Sequence, residues 1–243
     1  SPYEVLSVLA IDQAPQDGLP RVRQNVARNA STPPDLLDRL ALDNDTSVRE
    51  IVASNAGTSR AQLTHLAGDP DEKVRGAVAK NPNAPGDLIA LLATDVEADV
   101  RWSVALSSTQ KLPAQTVKAL ANDSDPKVRR VVAGGAGTPH DLLAVLARDD
   151  SAEVRIQAAR NPNTEGSLLS ILANDVEHRV RRGVAINPSA PVEVLTHLAH
   201  GTDGDIREAV SENPSSPPHL LAELHEMGET GLVQPSNSSI PNE

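Results

Sequence analysis

"VRGAVAKNPNAPGDLIALLATD", Val74 to Asp95, decides the fold, because the chain writes it again and again. "VRIQAARNPNTEGSLLSILAND" runs from Val154 to Asp175, and "VRRGVAINPSAPVEVLTHLAHG" from Val180 to Gly201. The arginine of the "Val-Arg" pair serves as a ruler. It falls at Arg23, Arg49, Arg75, Arg101, Arg129, Arg155, Arg181 and Arg207, with Ile206 replacing Val in the last copy. Successive spacings are 26 residues, except for 28 between Arg101 and Arg129. The two extra residues fall where "LSSTQKLP", Leu106 to Pro113, replaces the usual Asn-Pro turn. A fixed period in the range of about 20 to 50 residues marks a solenoid.

Each copy reads as two short helices. An acidic cluster such as "DNDTS" (Asp43 to Ser47) precedes the first and suits a helix N-terminus. Val48, Val52 and Ala53 give that helix a narrow apolar edge. It ends near an Asn, often followed by Pro, as at Asn81-Pro82, and the residue before Pro is driven out of the helical region. The second helix starts around Pro33, Pro85, Pro139, Pro191 or Pro217 and carries the stripe "LLxxLA", as in Leu36, Leu37, Leu40 and Ala41. Helices of two or three turns are too short to stand alone in water, so stability must come from stacking one copy on the next.

Composition agrees. The 243 residues contain no Phe and one each of Trp, Tyr and Met. A thin core of Ala, Val, Leu and Ile is expected, rather than a globular centre filled by aromatic bulk. The net charge of −11 argues against general nucleic-acid or anionic-membrane binding, which needs a basic footprint. There is no Cys, so the chain itself supplies no disulfide, thiolate nucleophile or iron–sulfur ligand. No apolar run is long enough for a transmembrane helix and no signal peptide is visible, so a cytoplasmic location is expected. "PYEVLSVLA" (Pro2 to Ala10) reads as a second helix without its first, as in a piece of a longer array. The expected domain is one solenoid over 1–227 with a polar tail over 228–243.

The unit "VRxxVAxNPxxPxxLLxxLAxDxD" resembles the leucine-rich repeat variant family, from Pro2 to about Met227. The resemblance implies an all-α, right-handed superhelical solenoid of about eight units, in which α-helices alternate with 3₁₀-helices. It makes "LLxxLA" the α element and "VRxxVAxN" the shorter, 3₁₀-like one. One architecture in the family places a Cys-rich iron–sulfur module before the repeats; this sequence holds no Cys for one. The family is tied to no single activity, so the implication is a scaffold.

Repeated residues read as structure. The eight arginines, with acids six and four positions before most of them, form an expected ladder of Arg–carboxylate bonds between units. The pairs are expected to be exposed and to contribute about 0–1 kcal/mol each, so register is their main product. Function should sit where copies differ. On the first helices, the positions one and five after each "Val" partner's Arg–that is, directly after the arginine and four further on–are expected to point away from the apolar edge. They place Trp102, Leu106, Arg130, Ile156, Arg160, Arg182 and Ile186 on one stripe. Trp and Arg are favoured at binding hot spots, so this stripe is the candidate for a protein or peptide partner. The alternative for Trp102 is that it fills a gap left by the irregular fourth unit. A spacer role within a longer protein is the second functional reading, and a local basic track of Arg130, Arg160 and Arg182 on nucleic acid the third. His197 and His200 have metal-compatible spacing but lack a third ligand, so no metal or cofactor is expected. No phosphate loop, nucleophile motif or zinc-hydrolase motif is present, and no catalysis is expected.

Overall fold

The structure is a computed structural model and describes residues 19–107 and 112–231, with side chains over 21–107 and 112–227. The front segment Pro2 to Ala10 and the middle of the Leu106–Pro113 insertion therefore lie outside the described residues. Sixteen α-helices and no strands are found among the described residues. The chain divides into two compact units, Ser1–Thr138 and Pro139–Glu243.

In the first unit, the "Val-Arg" helices are α1 (Leu19–Arg28), α3 (Thr46–Ser54), α5 (Glu72–Lys80), α7 (Ala98–Leu106) and α9 (Pro126–Gly134). The "LLxxLA" helices between them are α2 (Pro34–Leu40), α4 (Arg60–Leu66), α6 (Gly86–Leu92) and α8 (Ala114–Ala121). The second unit carries "LLxxLA" helices α10 (His140–Leu146), α12 (Gly166–Leu172), α14 (Val192–Ala199) and α16 (Pro218–Gly231). Its "Val-Arg" helices are α11 (Ala152–Arg160), α13 (His178–Ala185) and α15 (Gly204–Ser211). Helix α16 runs past the expected boundary at residue 227.

The expected helix types are reversed in length. The "Val-Arg" helices have eight to ten residues and are α-helical; most "LLxxLA" helices have seven or eight. An aspartate starts several of the longer ones. The Asp45 side chain accepts from Ser47 N–H and Asp71 from Lys73 N–H, satisfying donors that a helix start leaves over. The amide of Arg49 then bonds to Asp45 C=O, four residues back, which is α rather than 3₁₀ spacing. The shorter helices follow a proline at the N-cap: Pro33, Pro85, Pro139 and Pro191 sit at φ near −61 to −65°, and their carbonyls accept the first helical bonds.

Val48, Val52 and Ala53 are fully buried, as are Leu63 and Leu66 across the same repeat. Two polar ladders accompany this aliphatic core. In the first, the arginines Arg23, Arg49, Arg75, Arg101 and Arg155 reach the aspartate that begins the next repeat. Arg49 Nε and Nη2 donate to Asp69 at 2.7 and 3.1 Å, and Arg75 does so to Asp95 at 2.7 and 2.9 Å. Arg23–Asp43 and Arg155–Asp175 repeat the geometry, and Arg101–Asp123 keeps it across the two-residue insertion. The remaining Nη1 holds a carbonyl six residues back in its own repeat, as from Arg75 to Asp69 C=O at 2.9 Å. These pairs are largely buried, with Arg75 and Asp95 side chains 13% and 10% exposed, so the expectation of exposed pairs is corrected.

The second ladder is of asparagines. Asn81 Nδ2 donates to Ala53 C=O at 2.7 Å and to Asn55 C=O at 2.9 Å, while its Oδ1 accepts from Asn83 N–H. Asn55 does the same toward Ala27 and Asn29. In the second unit Asn187 and Asn213 continue the pattern. Asn55, Asn81, Asn187 and Asn213 thus satisfy the orphan carbonyls at the end of the preceding repeat's first helix. Ser107 and Gly135 occupy this position where the repeat is irregular.

Candidate partner-binding face

Once core and ladders are set aside, the outer surface of the "Val-Arg" helices remains. The position four residues beyond the one following the arginine is exposed in every repeat described: Arg28, Ser54, Lys80, Leu106, Gly134, Arg160, Ile186 and Glu212. Leu106 is 47% exposed and Ile186 36%. The position directly after the arginine behaves differently. Trp102, Arg130 and Arg182 are half-buried, and Ile156 is only 1% exposed. Ile156 therefore leaves the proposed stripe.

Gly183 explains this. A Cβ built there would meet Ala159 Cβ at 3.0 Å and Ile156 C=O at 3.4 Å. Helix α13 thus comes close to α11 at Ile156, whose carbonyl lies beside Gly183 and whose side chain is buried. Gly76 is buried for the same reason, with Ser103 Oγ 3.1 Å from where its Cβ would stand. The sequence places these residues off the apolar edge, but off the edge is not the same as outside.

In the first unit, this face carries a groove of about 440 Å³. Ser54, Gly76, Ala77 and Ser103 line it with Trp102, and Glu50, Glu72, Asp99, Lys73 and Lys80 supply its charges. An adjoining groove of about 490 Å³ shares Glu50 and Ser54 and extends to Gln24 and Arg28. The Lys80 ammonium sits 5.3 Å from the centre of the Trp102 ring, a cation–π distance. Sequence reading singles out Trp102 without joining it to Lys80. The signal was available: the exposed position of one repeat lies against the post-arginine position of the next. Leu106 is one helical turn beyond Trp102 on α7, and Arg130 takes the Trp102 position on α9.

In the second unit, the Gly183 Cβ position is 3.5 Å from Arg160 Cγ, so the Arg160 stem crosses Gly183 beside Arg182. Ile186 closes α13. Arg160, Arg182 and Ile186 thus share the outer side of α11 and α13. His197 and His200 do not converge: His197 Nε2 meets Asn174 Oδ1 at 3.1 Å, whereas His200 faces Thr196 C=O and Glu223. No helix among the described residues is long and apolar enough to cross a membrane.

No family model and no curated protein matches the chain. Solved structures do. A leucine-rich repeat variant with a novel repetitive structural motif is 27% identical, covering 79% of this chain and 82% of its own, with a TM-score of 0.59. The chain shares the fold of the leucine-rich repeat variants. YibA of Escherichia coli, 18% identical over 91% of this chain and 94% of its own, has a TM-score of 0.53. At that identity the likeness concerns fold alone. On a leucine-rich repeat variant scaffold the Arg–Asp and Asn ladders are building material, and the outer first-helix positions are what distinguishes one copy from another.

Proposed function

We propose that the protein is a non-catalytic scaffold that binds a protein or peptide partner along the outer face of its "Val-Arg" helices. One observation carries this reading. The post-arginine-plus-four position is exposed in every repeat and differs in nearly every repeat, while the residues that do recur are spent on core and ladders. In the first unit that face includes a groove bordered by a half-buried Trp. A rigid aromatic with adaptable polar neighbours is a common composition for a hot spot. Trp102, Leu106 and Arg130 are the proposed contacts in the first unit, and Arg160, Arg182 and Ile186 in the second.

The test is site-specific photo-crosslinking in cell extract, with the cross-linker at Ser54 or Leu106 on the first-helix face and at Leu91 on α6 as control. A discrete adduct from the first-helix positions is expected, and Trp102→Ala should remove it while the circular dichroism spectrum is retained. Adducts from Leu91 alone, or none from any position, would overturn the proposal; the second outcome favours a spacer role.

A further inference from the structure

We propose that His178, Asp203 and Asp205 form a divalent-metal site, with Zn²⁺ the best match to its donors. Their ligand atoms all lie within 4.8 Å of one another, one from the first turn of α13 and two from the start of α15. His178 Nε2 is 3.0 Å from Asp203 Oδ2. One imidazole and two carboxylates are a donor set that zinc accepts, with Zn–N and Zn–O distances near 2.0–2.2 Å. Donors up to 4.8 Å apart must draw together by about an ångström to close on an ion, leaving a fourth position open to water.

The site lies where the repeat departs from its own rule. The residue twenty after each ladder arginine is an aspartate at Asp43, Asp69, Asp95 and Asp175, but Gly201 follows Arg181. The Arg181 fork therefore finds no bidentate partner there; its Nη2 is 3.9 Å from Asp203 Oδ2, against about 2.7 Å in the regular pairs. Arg181 Nη1 stays on the Asp175 and Val176 carbonyls at 2.8 and 3.1 Å. Asp203 also caps α15, its Oδ1 accepting from Asp205 and Ile206 N–H, so Oδ2 is the oxygen turned toward His178. A His–Asp hydrogen bond replacing the lost arginine link would account for His178 and Asp203 alone. It gives no part to Asp205, which is exposed and brings a second carboxylate to the same point.

Isothermal titration of the full chain with ZnCl₂ tests the proposal, with thermal unfolding as a second readout. One equivalent should bind at micromolar affinity and raise the unfolding temperature, since a ligand of the native state stabilises it by mass action. Asp205→Asn leaves the His178–Asp203 bond in place, so it should keep the metal-free unfolding temperature and weaken zinc at least about tenfold. His178→Ala should abolish the binding. Arg181→Gln, which removes the guanidinium 3.9 Å from Asp203 Oδ2, should tighten it. Absence of saturable binding, or binding unchanged in both Asp205→Asn and His178→Ala, would overturn the assignment.

Discussion

Two ion pairs in this fold have the same length and different surroundings, which makes their energies a direct test of what the arginine ladder does. Arg75–Asp95 and Arg60–Asp87 both close at 2.7 Å. The first pair is 13% and 10% exposed, the second 68% and 64%. At an effective dielectric near 20, unit charges about 4 Å apart attract by about 4 kcal/mol; in water the figure is about 1 kcal/mol. Desolvation removes much of the buried gain. Two charge-assisted bonds from one fork nonetheless leave a net coupling of about 2–3 kcal/mol for Arg75–Asp95. The exposed pair should give about 0–1 kcal/mol. A double-mutant cycle with alanine at each position isolates these couplings. It cancels the bond from Glu97 N–H to Asp95 and the bonds from Arg75 to the Asp69 and Pro70 carbonyls, which each single change affects or retains alike. Repeat arrays need not unfold in one step, so hydrogen exchange in α5 and α7 is the measure for the first pair, and in α4 and α6 for the second. Raising salt to about 0.5 M should erase the exposed coupling and spare most of the buried one. A coupling for Arg75–Asp95 no larger than that for Arg60–Asp87, or equally salt-sensitive, would refute the view that burial makes the ladder structural.

Two further outcomes are expected. Gly86 and Gly166 both open an "LLxxLA" helix, yet a Cβ at Gly86 meets nothing within 4 Å, whereas one at Gly166 would sit 2.7 Å from Pro191 Cγ. Gly86→Ala should stabilise by up to about 0.5–1 kcal/mol through reduced backbone entropy, and Gly166→Ala should destabilise by about 1–3 kcal/mol, as urea titration will register. Acid should weaken the ladder. Burial pushes the Asp69, Asp95 and Asp123 carboxyls up, but the arginine bonds and a backbone N–H outweigh it, and all three rest below the usual range. The Arg155 bond is the main cause for Asp175, also held low. For a depressed carboxyl, stability is fully present above the unfolded value near 3.9 and is lost as pH falls through the lower folded value. Stability should therefore fall below about pH 4, and Asp175→Asn should make that slope shallower; an unchanged slope would remove the ladder from acid unfolding.

The repeat made the fold legible because its signal is periodic and redundant: eight arginines in register, each with the same apolar letters around it. Helix type was harder. Periodicity locates a helix, but whether it closes as α or 3₁₀ depends on its caps, and the part played by Asp45 and Asp71 emerges only from their bonds to Ser47 and Lys73 N–H. The asparagine ladder was half legible. Asn81 reads as a turn residue from its Pro82 neighbour, yet its two donors act on carbonyls 26 and 28 residues earlier. No local pattern announces a bond to the previous repeat. The binding face was the least legible, and Ile156 shows why. Sequence spacing divides a helix into an apolar edge and the rest, but a helix in a solenoid has a neighbour on each side as well as a core beneath it. Whether a residue beside that neighbour is covered depends on another repeat: α13 closes on α11 where Gly183 meets the Ile156 carbonyl, while Gly76 and Trp102 of successive repeats border one groove. In a repeat protein, then, the surface is encoded in pairs of letters about one period apart. A change at Gly183 or Gly76 alters what its neighbouring repeat presents as surely as a change at Ile156 or Trp102 itself.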